Sequence, residues 1–134
     1  MASGQPLRGY VVLVVEDDAE TLNALEFLIS DAFGCCVLRA SSAEQALRLM
    51  DSARRIDLVL SDVVMPDQDG MTLAAQVRKR FPDLPVVLAT GRPDVVDALT
   101  RRGGIALLKP ITIERLEAVF TEHFCSAGPA SQAH

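Results

Sequence analysis

Five short apolar runs alternate along the chain with five stretches in which apolar residues recur at helical spacing. The runs span 10–15, 35–38, 56–60, 85–89 and 105–108. They are rich in β-branched residues or leucine and mostly apolar at every position, which is typical of parallel strands covered by helices on both faces. Strands and helices that alternate in this way predict right-handed crossovers and an open parallel sheet. We therefore expect an α/β fold.

The helical stretches carry start and stop signals of their own. Ser42 and Gln45 have the spacing of a capping box at the start of the second helix, and the third should end before Phe81. The fourth is expected to open near Pro93 and to stop at Gly103, because proline suits a first helical turn and glycine follows a last one. The apolar faces of the other helices are formed by Leu22, Leu25, Ile29 and Phe33, by Ala43, Ala46, Leu47 and Met50, by Leu73 and Val77, and by Leu116, Val119 and Phe120.

Length and composition limit the class of protein. A chain of 134 residues suits one domain, and 49% apolar with 23% charged residues is a globular balance. The longest apolar runs have about six residues, too few to cross a bilayer, and residues 1–9 lack the apolar stretch of a secretory signal. We expect a cytoplasmic protein with an N-terminal tail over 1–9, one domain over 10–124 and a C-terminal tail over 125–134.

The net charge of −5 and the pI near 4.9 argue against a surface for nucleic acid. Arg101 and Arg102 form a basic pair in the C-terminal half, which is interpreted as a solvated helix end. Neither a nucleic acid nor a membrane is expected as a partner.

Candidate functional residues follow four of the five predicted strands, while Ser41 and Ser42 after the second are interpreted as cap residues only. In an open parallel sheet the functional crevice lies beyond the carboxyl ends of the strands. The candidate residues found there are Glu16, Asp17 and Asp18 after the first strand, Asp62 after the third, Thr90 after the fourth and Lys109 after the fifth. Each alone has an ordinary interpretation as a helix cap, a turn residue or a surface lysine. Their joint occurrence at one edge predicts a functional site.

Carboxylates that converge on one edge repel each other, by roughly 4 kcal/mol for two unit charges 4 Å apart at an effective dielectric constant near 20. A hard divalent cation bound by oxygens offsets this repulsion, and Mg²⁺ typically uses one or two carboxylates together with a phosphate oxygen. Lys109 is one of only two lysines, beside eleven arginines, and its compact ammonium group suits a phosphoryl oxygen. The pattern predicts Mg²⁺ next to a phosphate-binding lysine.

These residues, in this order, resemble the receiver domain of bacterial response regulators, the CheY-like fold. The motif consists of Val15-Glu16-Asp17-Asp18, Asp62 with Pro66 and Asp69-Gly70, Thr90, and Lys109-Pro110. The resemblance covers about residues 10–124, which would make that segment a receiver domain. It implies a (βα)5 doubly wound sheet of five parallel strands in the flavodoxin-like order 2-1-3-4-5.

The resemblance also implies a metal site built around Asp62. Asp62 corresponds to the phosphoacceptor and Asp17 to a direct Mg²⁺ ligand. Glu16 would act through a metal-bound water, and the backbone carbonyl of Val64 would complete the protein ligands.

In the same way, the resemblance implies how the phosphoryl group is handled. Asp62 would take it from a phosphohistidine of a histidine kinase or a histidine phosphotransfer protein. Thr90 would hydrogen-bond the group once it has formed, and Lys109 would pair with it. The phosphorylated state would shift a two-state equilibrium and so change the binding of an output partner. The chain itself is expected not to be an enzyme.

Three features depart from the family pattern. Ala106 stands where the family often has an aromatic residue, and Gly91 follows Thr90 where alanine is common. Only eighteen residues separate Thr90 from Lys109, so the fourth helix should be short for the family.

Other classes of protein remain open alternatives. A Mg²⁺-dependent phosphatase of the haloacid dehalogenase type would need its nucleophile after the first strand and a second Asp two positions on, a pattern that Asp17-Asp18-Ala19-Glu20 does not supply. A degenerate receiver could bind proteins without phosphorylation, and a flavodoxin-like cofactor binder would want Ser, Thr and Gly after the first strand. The remaining residues leave no room for an output domain, so the chain is either a stand-alone receiver or a part of a longer protein such as a hybrid histidine kinase.

Overall fold

The chain forms a five-stranded parallel sheet with helices on both faces. A computed structural model describes residues 7–52 and 55–124. The elements are β1 (Val11–Val15), α1 (Ala19–Phe33), β2 (Cys36–Ala40), α2 (Ala43–Ser52), β3 (Leu58–Asp62), α3 (Gly70–Arg80), β4 (Val86–Thr90), α4 (Pro93–Arg101), β5 (Ile105–Leu108) and α5 (Ile113–His123). The strand order is β2-β1-β3-β4-β5 and each neighbouring pair is parallel, which confirms the predicted fold class.

The central strands are buried on both faces because successive side chains of a strand point to opposite sides of the sheet. In β1, Val12 and Val14 belong to an apolar cluster with residues of α1 and α5, whereas Leu13 and Val15 belong to a second cluster with residues of α2 and α3. The predicted two-sided burial is thus confirmed for the centre of the sheet. Strand β2 lies at an edge, and there Cys36 is exposed.

Two strands extend further than the apolar pattern predicts. The run at 56–60 becomes a strand that ends at Asp62, and the run at 85–89 one that ends at Thr90. Ser61 pairs in register with Leu88, and Asp62 with Ala89. The ladder is made by backbone groups, so polar side chains continue it as well as apolar ones do. Asp62 and Thr90 are therefore the last residues of their strands.

The helix ends agree closely with their sequence signals. Helix α3 ends at Arg80 and α4 begins at Pro93, as predicted, and Gly103 follows α4 with a φ of 83°.

The predicted capping box at α2 forms only in part. Ser42 Oγ accepts a hydrogen bond from the Gln45 N–H at 3.1 Å. The Gln45 side chain, however, accepts from the backbone N–H and the hydroxyl of Ser41, not from Ser42. The second hydrogen bond of the capping box, from the Gln45 side chain, is thus made with Ser41 and not with Ser42.

Residues 7–9 form a turn that is tied to the end of α1, with the Leu7 N–H donating to the Phe33 carbonyl at 3.0 Å. The other residues of the predicted tails, 1–6 and 125–134, lie outside the described residues. The division of the chain into tails and domain thus stays a prediction. None of the helices in the described ranges combines the length and the apolar character that a membrane span requires.

Candidate functional site

Three carboxylates meet at the carboxyl edge of the sheet. Glu16 and Asp17 follow β1, and Asp62 ends β3, the strand beside it. One carboxylate oxygen of each residue lies within 4.8 Å of those of the other two. The parallel pairing of β1 with β3, in which Val15 lies opposite Ser61, brings these acids together.

The fourth acid of the sequence motif has a different role. Asp18 is the N-cap of α1, where its side chain accepts hydrogen bonds from the Thr21 N–H at 2.9 Å and the Thr21 hydroxyl at 2.6 Å. These two bonds stabilise the carboxylate and lower the pKa of Asp18. The interpretation of an acidic residue as a helix cap therefore applies to Asp18, while its two neighbours form the cluster.

Glu16 is the most buried of the three clustered acids, with a relative exposure of 6%. Burial raises the pKa of Glu16, the hydrogen bond that it accepts from the Asp18 N–H at 3.0 Å lowers it, and the charge of Asp62 raises it again. The net pKa shift is upward, because burial outweighs the effect of that hydrogen bond.

Lys109 supplies a positive charge to this cluster. Its Nζ lies 3.1 Å from Oδ1 of Asp62, and the two side chains are 35% and 16% exposed. The Lys109 N–H donates to the Thr90 carbonyl at 2.8 Å, continuing the ladder between β4 and β5. The Lys109-Pro110 peptide is cis, and the Arg115 guanidinium donates to the Pro110 carbonyl at 2.8 Å. The backbone around the lysine is thus fixed from two sides.

Thr90 lies at the same carboxyl edge of the sheet, but its side-chain hydroxyl contacts the residue before α4. It is nearly buried, and its Oγ accepts a hydrogen bond from the Arg92 N–H at 3.2 Å. A hydroxyl has one donor and two acceptor sites, and this bond uses an acceptor. Among the described residues no acceptor is bonded to the Thr90 O–H, so that donor is available to an oxygen in the site.

The loop after β3 is closed tightly on itself. The Gly70 N–H donates to the Val63 carbonyl at 2.6 Å, and a Cβ at Gly70 would lie 2.4 Å from the Asp62 carbonyl oxygen, so only glycine fits there. Val64 is 73% exposed, and its carbonyl accepts no hydrogen bond from the residues that the structure describes. This oxygen is therefore available as a ligand.

Sequence reasoning missed two residues that support the site. Asp67 bonds both of its oxygens to the start of α2, to the Ala43 N–H at 3.1 Å and the Glu44 N–H at 3.0 Å. These bonds lower the pKa of Asp67. The other is Arg115, described above. Only the position of Asp67 in a polar loop could have suggested a cap, because its partners lie 24 and 23 residues away along the chain.

The donor set suits a hard divalent cation. Three carboxylates and an unbonded carbonyl are all oxygen ligands, the type that Mg²⁺ takes in proteins. The carboxylates repel each other, and Lys109 pairs with only one of them. The residues present therefore fit the metal expected from the sequence.

Comparisons with known proteins agree with this geometry. The chain is 31% identical over 123 residues to the transcriptional regulatory protein GlrR of Escherichia coli K12, covering 90% of this chain and 27% of that protein. It is 36% identical over 116 residues to the two-component response regulator ARR12 of Arabidopsis thaliana, covering 84% of this chain and 19% of the relative. The chain thus spans about a quarter or less of these two curated relatives.

Solved structures agree as well. A response regulator receiver domain protein from Clostridium thermocellum is 30% identical, with a TM-score of 0.76 over 85% of this chain and 93% of that one. A family model described as the response regulator receiver domain matches residues 12–121. With this match over most of its length, the chain belongs to the response regulator receiver domain family of two-component systems.

Proposed function

We propose that the chain is a phosphoacceptor receiver that takes a phosphoryl group from a phosphohistidine onto Asp62 and then changes the binding of an output partner. The donor is a histidine kinase or a histidine phosphotransfer protein. The observation that carries the proposal is the Asp62 carboxylate, which ends β3 inside a cluster of three acids and beside the Lys109 ammonium group.

The transfer is an in-line attack by a carboxylate oxygen of Asp62 on the phosphorus atom. The new bond joins oxygen to phosphorus and gives an acyl phosphate, while the bond from phosphorus to the donor imidazole nitrogen breaks. The electron pair of the broken bond stays on the imidazole nitrogen. The ring leaves as neutral imidazole, because its other nitrogen already carries a proton or because it takes a proton from solvent. The aspartate needs no base, because its carboxylate is already the nucleophile.

Positive charge near the transferred oxygens lowers the barrier of such a reaction. Lys109, at 3.1 Å from the nucleophilic carboxylate, is in reach of those oxygens. Asp17, Asp62 and the Val64 carbonyl would hold Mg²⁺ directly, and Glu16 would hold it through water. When bound, Mg²⁺ supplies neutralising charge to the carboxylates and the phosphoryl oxygens.

The switch uses the donor that Thr90 keeps available. Its O–H would bond a phosphoryl oxygen on Asp62, and its Oγ is already bonded to the Arg92 N–H at the start of α4. Movement of Thr90 toward the phosphoryl group would thus pull on α4. Such coupling changes the populations of two states and so the affinity for an output partner.

The proposal also covers the bounds of the domain, its location in the cell and the partners and activities that it lacks. Residues 10–124 act as the receiver unit, the protein works in the cytoplasm, and neither nucleic acid nor membrane is its partner. The domain is a signalling element and not an enzyme. The phosphatase alternative is disfavoured because the lysine contacts the acid that ends β3, whereas a haloacid dehalogenase nucleophile would follow β1.

The test is incubation with acetyl phosphate and Mg²⁺, followed by intact mass. Wild type should gain one phosphoryl group, and Asp62→Asn should gain none. Asp57→Asn is a control, because Asp57 lies just before β3, at the strand end opposite to Asp62, and its carboxylate bonds the Val11 N–H. Equal labelling of wild type and Asp62→Asn would contradict the proposed phosphoacceptor. A wild type that stays unlabelled with acetyl phosphate and with a phosphorylated histidine phosphotransfer protein would favour a degenerate receiver.

A further inference from the structure

A groove lies between α3 and α4, and none of the three clustered acids lines it. Its volume is about 320 Å³, near the lower end of the range of about 300–1,000 Å³ found for ligand pockets. Leu88 of β4 and Leu99 of α4 contribute apolar surface, and Ala74 and Ala75 of α3 are small enough to leave the space between the helices open. We call this feature the α3–α4 groove.

Two arginines line the same groove, Arg78 on α3 and Arg102 at the end of α4. Both are exposed, and within the described ranges neither guanidinium forms a hydrogen bond or an ion pair. A basic residue at a helix C-terminus complements the helix dipole, which accounts for a positive charge there but not for its position beside an apolar groove. In a chain with a net charge of −5, this is a local concentration of unpaired positive charge.

We propose that the α3–α4 groove binds an acidic segment of a partner protein that carries aliphatic side chains. The apolar lining takes the aliphatic side chains out of water, and each guanidinium pairs with a carboxylate through its planar fork of donors. The proposal goes beyond the phosphoacceptor function and does not depend on it, because the groove exists without any phosphoryl group.

Nucleic acid fits this surface less well than an acidic peptide does. Binding to a phosphate backbone needs a row of cations and gains nothing from an apolar floor, and the net charge of the chain opposes it. A peptide of alternating aliphatic and acidic residues uses both features of the groove.

The groove is also placed to respond to the phosphorylation site. Leu88 lies opposite Ser61 in the sheet, one residue before Asp62. Leu99 and Arg102 lie at the end of a helix that begins three residues after Thr90. If α4 moves with Thr90, the groove changes its width, so phosphorylation alters the affinity of the peptide. This last step rests on the proposed function.

The test selects short random peptides displayed on phage against the unphosphorylated protein. Enriched peptides should combine Asp or Glu with Leu, Ile or Val, and in amide spectra of the labelled protein they should shift residues 71–78 and 99–105. Arg78→Glu and Arg102→Glu should each weaken binding of an enriched peptide by about tenfold or more. Lys79→Glu and Arg101→Glu are matched controls, since they change the same charge on the same helix ends but do not line the groove, and they should weaken binding much less.

A further variant tests the apolar part without a change of charge. Ala75→Leu adds a side chain to the groove at an exposed helix position, so the fold should tolerate it while peptide binding falls. The proposal is overturned if no peptide is enriched, if the enriched peptides lack acidic residues, or if the control variants weaken binding as much as the groove variants do. Binding of a short DNA duplex by Arg78 and Arg102, or self-association through the groove in sedimentation, would also overturn it.

Asp62→Asn separates this proposal from the proposed function. The variant should still bind the enriched peptide when no phosphodonor is present. If wild type binds the peptide and its phosphorylation by acetyl phosphate leaves that binding unchanged, the groove proposal stands and the proposed switching fails.

Discussion

The Lys109 ammonium nitrogen lies 3.1 Å from Oδ1 of Asp62, and no other ion pair to the three-acid cluster occurs within residues 7–52 and 55–124. One lysine thus faces three carboxylates. Removal of the lysine and removal of a carboxylate should therefore have opposite effects on the metal-free protein.

Lys109→Ala should slow phosphorylation by acetyl phosphate by on the order of 10²-fold, the usual effect of removing one electrostatic contact to developing charge. It should also lower the melting temperature without metal, because it leaves the acids unneutralised. Lys79→Ala is the control, since it removes the other lysine of the chain from an exposed position. An unchanged phosphorylation rate in Lys109→Ala would contradict the role proposed for this residue.

Asp17→Asn should raise the melting temperature without metal and abolish Mg²⁺ binding. One of three mutually repelling charges is lost, and because Asp17 is exposed the gain should be no more than about 1 kcal/mol. Asp18→Asn is the comparison, because Asp18 caps α1 and its replacement should leave Mg²⁺ affinity nearly unchanged. Asp17→Asn protein that binds Mg²⁺ as tightly as wild type does would rule out the proposed ligand.

Asp67→Ala should melt a few degrees lower than wild type at neutral pH, because two N–H groups at the start of α2 lose their partner. These bonds hold the pKa of Asp67 below 3.8, so their contribution is present above that value and disappears as the pH falls through the lowered pKa. The difference in melting temperature should shrink below a pH of about 3.8.

Asp97→Ala serves as the control for Asp67, because Asp97 is an exposed acid on α4 with no bond to another described residue. It should differ little from wild type at either pH. A difference between wild type and Asp67→Ala that stays constant down to strongly acidic pH would show that the carboxylate charge is not involved.

The acyl phosphate on Asp62 should be hydrolysed slowly. The resemblance to the receiver family implies that the residues two past Asp62 and two past Thr90 lie over the approach of water, and here they are Val64 and Arg92. Val64 is 73% exposed and cannot position water, and the Arg92 guanidinium is paired with Asp94 at 2.9 Å. Val64→Asn combined with Arg92→Glu should shorten the lifetime by about tenfold, less than the 10²–10⁴ of a well-placed general base.

Val64→Ala is the matched control for that pair, since alanine also cannot hold a water molecule. Phosphate release is measured after removal of the donor by desalting. Fast release by wild type, or slower release by the double variant, would overturn this interpretation of the two positions.

The response to phosphorylation should travel through the backbone, because Ala106 has no ring to move. With beryllofluoride and Mg²⁺ as a stand-in for the phosphoryl group, amide exchange should change in residues 90–104. Thr90→Val keeps the shape but lacks the O–H, so it should lose this change while still binding the beryllofluoride. No difference in residues 90–104 of wild type would contradict the proposed coupling through Thr90.

The sequence predicted the fold class and the edge at which the acids meet, because apolar periodicity and strand ends are local properties of the chain. Local pattern alone does not distinguish Asp17 from Asp18, since both are acids at the start of a helix, and only the family resemblance assigned the metal to Asp17. The fold shows that Asp18 caps α1 and that Asp17 joins Asp62.

The contacts of Asp67 and Arg115 could not be predicted from the local sequence pattern either. Asp67 caps a helix that precedes it by more than twenty residues, and Arg115 reaches back to Pro110 across the turn before α5. Such contacts depend on how elements are placed in space, which spacing along the chain does not encode. Strands β3 and β4 extend past their apolar runs to Asp62 and Thr90, because backbone groups make the ladder and side-chain polarity does not end it.

Two glycines, Gly70 at the start of α3 and Gly91 directly after β4, differ in how closely other atoms approach them. Gly70 presses α3 against the backbone of Asp62 itself, where a Cβ would come within 2.4 Å of the carbonyl oxygen, whereas a Cβ at Gly91 would meet nothing within 4 Å. Helix α3 is therefore held tightly at its first residue, and we expect α4 to move more easily than α3 does. If the proposed switch operates, we expect a signal from Asp62 to displace α4 more than α3, so that α3 forms the fixed wall of the α3–α4 groove and α4 the moving one.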